Sequence, residues 1–250
     1  MNVSSPPDDT RDPAHGAAAR HGQGRCPVAS SGLRLERSLV DLVEARDFPC
    51  LGAKSALARG GLAIETAGAI TAAHDDRRIH AALVRWSAAY RADGPGFRSL
   101  AVVFAGPRTL DEAAFEAALW ERLGALTAED RRRGHRHDPA FSPDPDDPRF
   151  ALSFGGRGYF AVGLHPRASR RARRLAYPAI VFNLHHQFER LREERRYERM
   201  REVILARDEE LGAGPNPMIA RHGEVSEARQ YSGRAVGSDW VCPLAPADAR

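Results

Sequence analysis

An α+β fold is predicted by three features of the chain. Apolar runs of strand length occur at Leu100-Ala-Val-Val-Phe104, Phe150–Phe154, Tyr159–Leu164 and Ile180–Asn183. Stretches with helical spacing separate or follow them, and Gly155-Gly-Arg-Gly158 joins two runs directly, as a hairpin turn does. The expected architecture is a single domain with a mostly antiparallel sheet flanked by helices, preceded by a disordered N-terminal tail.

Residues 1 to 32 are rich in Pro, Gly, Asp, Arg and His and lack apolar periodicity, so they are assigned to the tail, and 33 to 250 to the domain. Leu35, Leu39, Leu42 and Val43 share one helical face, and that helix should stop before Phe48-Pro49. Lys54–Arg59 reads as a short Ala-rich helix closed by Gly60-Gly61, and Leu62–Thr66 as a strand. Ile79, Leu83, Trp86 and Tyr90 mark an amphipathic helix. Thr109 and Glu112 have capping-box spacing ahead of a helix carrying Phe115, Leu119, Leu123 and Leu126.

Thr127 to Arg149 reads as a long loop, the kind that covers a site or moves. A single charge-rich helix is predicted from about His186 to Leu211, with Phe188, Leu191, Met200, Val203 and Ile204 on one face. Beyond Gly212 the chain is irregular, with Met218, Tyr231 and Trp240 packing onto the domain.

Composition narrows the function classes. No apolar run approaches the ~18 residues of a membrane span, and the N-terminus lacks a secretory apolar segment, which predicts a cytoplasmic protein with no membrane partner. The formal net charge is +4, yet Lys54 is the only lysine, and an arginine-dominated excess of this kind is what a GC-rich genome imposes. Nucleic acid is therefore not an expected partner on charge alone. Cys26, Cys50 and Cys242 lie far apart with no C-x-x-C pair, unlike a disulfide framework or a zinc knuckle. Walker, dinucleotide, H-E-x-x-H and G-x-S-x-G patterns are absent.

The segment Phe160–Arg192 concentrates the candidate chemistry. His165 ends an apolar strand just before Pro166, and His185 follows another strand at a helix start. Each reads either as a polar cap or as a ligand on a rigid element. His185 and His186 are adjacent, so on a helix their side chains diverge by about 100° and do not chelate one ion. Arg170, Arg171, Arg173 and Arg174 form either a solvated face or a set of carboxylate partners. Cys50 is a small buried residue or a thiolate.

Phe48-Pro-Cys50 with Ala53, Gly163-Leu-His-Pro166 with Ser169-Arg170 and Ala172-Arg173-Arg174, Phe182-Asn183 with His185, Gln187-Phe188 and Leu191-Arg192, Asn216-Pro-Met218, His222-Gly223, Trp240 and Cys242-Pro243 together resemble the YqcI/YcgG family. Its members include haem-dependent N-oxygenases acting on guanidino groups. The resemblance implies haem b as cofactor, O2 as co-substrate, a small guanidino or amine substrate and an external electron donor, and it leaves room for a homodimer. On this reading His165 is the first choice of iron ligand, with His185 second and Cys50 third. Ser169, Arg170, Arg173 and Arg174 would serve the propionates, while Phe160, Phe182, Asn183, Phe188 and Trp240 would surround the macrocycle. His185 and Glu189 are the catalytic candidates, and Glu65 or Glu189 could meet a guanidinium. Two other classes stay open: a haem-binding sensor or carrier, and a basic nucleic-acid-binding module.

Overall fold

In a computed structural model of the chain, the described residues are 27–90, 96–213 and 225–244. They form an α+β domain around one five-stranded sheet of order β1-β2-β5-β4-β3, made by β1 (Leu62–Ala69), β2 (Ser99–Gly106), β3 (Leu152–Phe154), β4 (Arg157–Leu164) and β5 (Ala179–Leu184). Only β1 and β2 are parallel, joined by a crossover through α3 (Asp76–Ala88), and the other pairings are antiparallel as predicted. No described helix is long and apolar enough to cross a membrane.

Strand alternation divides the sheet into two unlike faces. On one face Leu100, Val102, Phe104, Tyr159, Ala161, Ile180 and Phe182 pack with α3 and α4 (Glu112–Arg132) in the larger core. On the other, Ala101, Val103, Val162, Leu164 and Val181 meet α1 (Pro27–Glu44) and the segment around α2 (Leu51–Ala58) in a smaller one. Leu35, Leu39 and Val43 supply the buried stripe of α1, which begins at Pro27, earlier than the expected Leu33. Proline tolerates the first helical turn because its missing N–H would be unpaired there anyway.

Gly163 fixes the spacing on the packed face. A Cβ there would lie 2.7 Å from both Leu119 and Phe115, so only glycine lets β4 approach α4 this closely. Gly155 and Gly156 form the two-residue turn of the β3–β4 hairpin with φ of 60° and 74°, the left-handed pair such turns require.

Three expectations are corrected. The cap of α4 is Asp111, whose Oδ1 accepts from the Ala114 N–H at 2.8 Å, not Thr109. That helix runs to Arg132, which shortens the predicted loop, and the remaining loop is fastened to the hairpin: Asp138 Oδ2 accepts from Gly158 N–H at 2.8 Å and Ser153 Oγ accepts from Asp138 N–H at 3.0 Å.

The predicted single helix after β5 is two, α5 (His185–Glu193) and α6 (Tyr197–Asp208), followed by a π-helical turn over Glu209–Ala213. Arg195 has φ of +56°, and the Arg196 and Arg195 N–H groups donate to Leu191 O and Arg192 O. This is a Schellman ending with arginine where glycine usually stands. The C-terminal stretch packs as predicted: Tyr231, in α7 (Ala228–Tyr231), is fully buried, and Glu116 of α4 binds Ser232 and Arg234.

Candidate functional site

The Schellman turn folds α6 back over the second face of the sheet. Tyr197, Met200, Arg201, Ile204 and Asp208, one helical stripe, thereby close a cavity of about 270 Å³. Its floor is Phe160, Val162, Leu164, Val181 and Asn183, and α1 and the Phe48-Pro49-Cys50 segment supply another wall. Apolar walls carrying a few polar groups are the usual make-up of a small-molecule or cofactor site.

Cys50 is the N-cap of α2, with Sγ accepting from the Ala53 N–H at 3.5 Å. Burial raises its pKa, opposed by the Ala53 and Gly52 N–H groups and by Arg173. Arg173 reaches into the same cavity, its guanidinium donating to Gly163 O at 3.0 Å and Gln230 O at 3.1 Å. Burial lowers its pKa to about 10. Arg170 donates through Nη2 to Asp208 Oδ2 at 2.5 Å, a buried pair linking the loop after β4 to α6. In all, the wall holds four arginines (Arg170, Arg173, Arg192 and Arg201) against two carboxylates (Asp208 and Glu227), a surplus that favours an anionic group on the ligand.

The residues singled out from sequence divide sharply. Cys50, Phe160, Arg170, Arg173, Asn183 and Phe188 all line the cavity. Asn183 Oδ1 accepts from Ser99 Oγ at 2.6 Å. Phe182 and Trp240 lie on the packed face instead, Phe182 between Phe154 and Tyr159 and Trp240 beside Trp120. Their positions follow from register, since Phe182 is one residue out of phase with Asn183. Ser169 is exposed and donates to Glu112, and Arg174 is bonded to the Ala168 and Ser169 carbonyls, so both serve the loop rather than the cavity.

His165 is not part of the cavity wall: it follows Leu164 on β4, and its buried ring stacks on Phe115 of α4 at 4.3 Å. Burial lowers its pKa. His185 is also buried and touches the rings of Phe141, Phe160 and Phe188. Its Nε2 lies 3.4 Å from Glu227 Oε2, so it sits directly behind the wall that Glu227 helps form. Glu189 is paired with Arg192 and Glu65 with Arg78, both away from the cavity lining.

Asp208 and Glu227 were not anticipated. Asp208 sits in a charge-rich helix where one acid resembles its neighbours, though its i, i+4 spacing from Ile204 marks the same face. Glu227 carries no local signal at all. Of the remaining resembling motifs, Asn216-Pro-Met218 and His222-Gly223 lie outside the described residues, as does Cys26.

Fold and site thus define a single-domain α+β protein with an apolar, arginine-bearing cavity on one face of its sheet. The chain belongs to the YqcI/YcgG family, whose model matches residues 39–245. Searches among curated proteins and among solved structures return no match.

Proposed function

We propose that the chain is a haem-dependent N-oxygenase that hydroxylates a guanidino or amino nitrogen of a small amino-acid-like substrate with O2, using an external electron donor. The observation that carries the proposal is the donor set of the cavity: apolar walls, a thiol at a helix N-terminus, and four guanidinium groups within one pocket. Haem b needs those three things: an axial donor, partners for its propionates and an apolar surround. When bound, it supplies the oxygen-activating chemistry. Cys50 Sγ is the proposed axial donor in place of His165, whose ring belongs to the α4 side of the sheet. Burial favours the neutral thiol, and the Ala53 and Gly52 N–H groups at the start of α2 and Arg173 are what would stabilise a Cys50 thiolate if it held iron.

Arg170 and Arg173 would hold the carboxylates of the cofactor, and Arg192 and Arg201, which also line the wall, would grip the carboxylate of the substrate. The cationic nitrogen of the substrate is met by Glu227, with His185 Nε2 behind it to hold or release a proton. Glu189 drops out of this scheme because it is paired with Arg192 outside the wall. Part of the arginine run is turned inward, Arg170 to Asp208 and Arg173 to backbone carbonyls, while Arg167, Arg171 and Arg174 stay exposed and Arg167 and Arg174 bond backbone carbonyls. That weakens the nucleic-acid alternative, which needs a solvated basic face.

The test is a visible spectrum of protein purified from haem-sufficient cells, followed by single replacements. Cys50→Ala is expected to shift the Soret band or shed the haem, and His165→Ala to keep the band. Preparations that are colourless and take up no added haem would sink the cofactor assignment. A Soret band unchanged in Cys50→Ala and altered in His165→Ala would return the ligand to His165. A sensor or carrier would absorb identically but consume no O2 with amine substrates.

A further inference from the structure

A second cluster lies on the other side of the sheet, beyond anything the cavity uses. His80 of α3, Asp130 near the end of α4 and His135 just after it each bring a donor atom within 4.8 Å of the others. We propose that His80, Asp130 and His135 form a binding site for one divalent transition-metal ion, with zinc as the best match to two imidazoles and a carboxylate.

Four observations carry it. His80 Nε2 and Asp130 Oδ1 are 2.7 Å apart and both residues are buried, so α3 and α4 already hold an imidazole and a carboxylate against each other. The Nδ1 atom of His80 is buried with no hydrogen-bond partner, so the polar contact of this ring, packed edge-on to Phe154, is made by Nε2 on the Asp130 side. Gly155 N–H donates to Asp130 Oδ1 at 2.8 Å, which orients the carboxylate as outer-shell donors do for metal ligands. Finally, a third donor is brought in by backbone design: Gly134 has φ of +78°, and the turn it makes lets His135 N–H bond Asp130 O at 3.2 Å while its ring comes to 5.9 Å from that of His80.

A hydrogen-bonded His–Asp pair would need neither the turn nor the second imidazole. His135 is only half-buried, which leaves one side of the site open for entry of the ion and for a water ligand. An ion held there would tie α3, α4 and the start of the following loop to the hairpin. That loop carries Phe141, which lies against His185 behind the cavity.

The experiment uses the full-length protein stripped of metal by chelation and titrated with Zn2+, and in parallel with Co2+ as a spectroscopic probe. One equivalent of Zn2+ per chain is expected, with a thermal midpoint raised by several degrees at saturating ion. The Co2+ form should show visible ligand-field bands without thiolate charge transfer. His135→Ala is expected to weaken binding at least about tenfold while leaving the metal-free midpoint unchanged, and His80→Ala should abolish binding. No Zn2+-dependent rise in midpoint, a thiolate band in the Co2+ spectrum, or undiminished affinity in His135→Ala would each overturn the site.

Discussion

The two faces of the sheet are built from the same strands and do opposite things. The α3/α4 face is filled: Phe115, Phe154, Tyr159, Phe182 and Tyr231 pack with almost no exposure, and a buried ion pair, Arg122 with Asp76, joins α4 to α3. The α1/α6 face is left open around a thiol and four arginines, and its buried pair, Arg170 with Asp208, borders the cavity. Alternation alone thus sends neighbours such as Phe182 and Asn183 to different faces, one packed and one lining the cavity.

The largest expected effect breaks this contrast or confirms it. Arg122→Ala strands the Asp76 carboxylate, whose pKa burial already raises, and is expected to cost about 3–5 kcal/mol of unfolding free energy. Arg170→Ala strands Asp208 beside a cavity that water can enter, so about 1–3 kcal/mol is expected there. Equal losses in denaturant titrations would mean that the cavity gives Asp208 no solvation.

A second, smaller effect separates the two histidines by face. His165 is buried against Phe115, with Glu112, Asp111, Arg167 and Arg173 as the charges acting on it, and its pKa is lowered chiefly by burial. The unfolded chain then binds the proton more readily than the folded one, so stability should fall as pH drops below the ordinary 6.5 toward the folded value. The slope approaches at most about 1.4 kcal/mol per pH unit. His165→Gln should flatten that slope; an unchanged slope would show that the proton goes elsewhere.

How much of this was legible in the sequence depends on range. The strands, the hairpin and the helix faces of α1 and α3 rest on local periodicity, and they could be read directly. The five cavity residues Cys50, Arg170, Arg173, Asn183 and Phe188 were legible as motif members, but Phe182 and Trp240 stood in the same motifs and face the other way. A motif keeps residues together without saying which side of a strand each serves. The contribution of Asp208 depends on a chain reversal at Arg195, and nothing local announces it, because the position lacks the glycine that usually marks a helix end.

That reversal gives the smallest prediction and the most discriminating one for the cavity. Arg195 holds φ of +56°, a conformation that costs a side-chain-bearing residue about 1–2 kcal/mol. Glycine removes that strain but adds freedom to the unfolded chain, offsetting about 0.4–1 kcal/mol. Arg195→Gly should therefore stabilise the protein by about 0.5–1 kcal/mol. Because Arg195 is exposed and outside the cavity wall, binding in the cavity should not change. Arg195→Pro should do the reverse, since its ring enforces negative φ and removes the N–H that bonds Arg192 O. With the turn lost, Met200, Ile204 and Asp208 no longer close over the sheet, and the open face should lose its ligand while the filled face keeps its core.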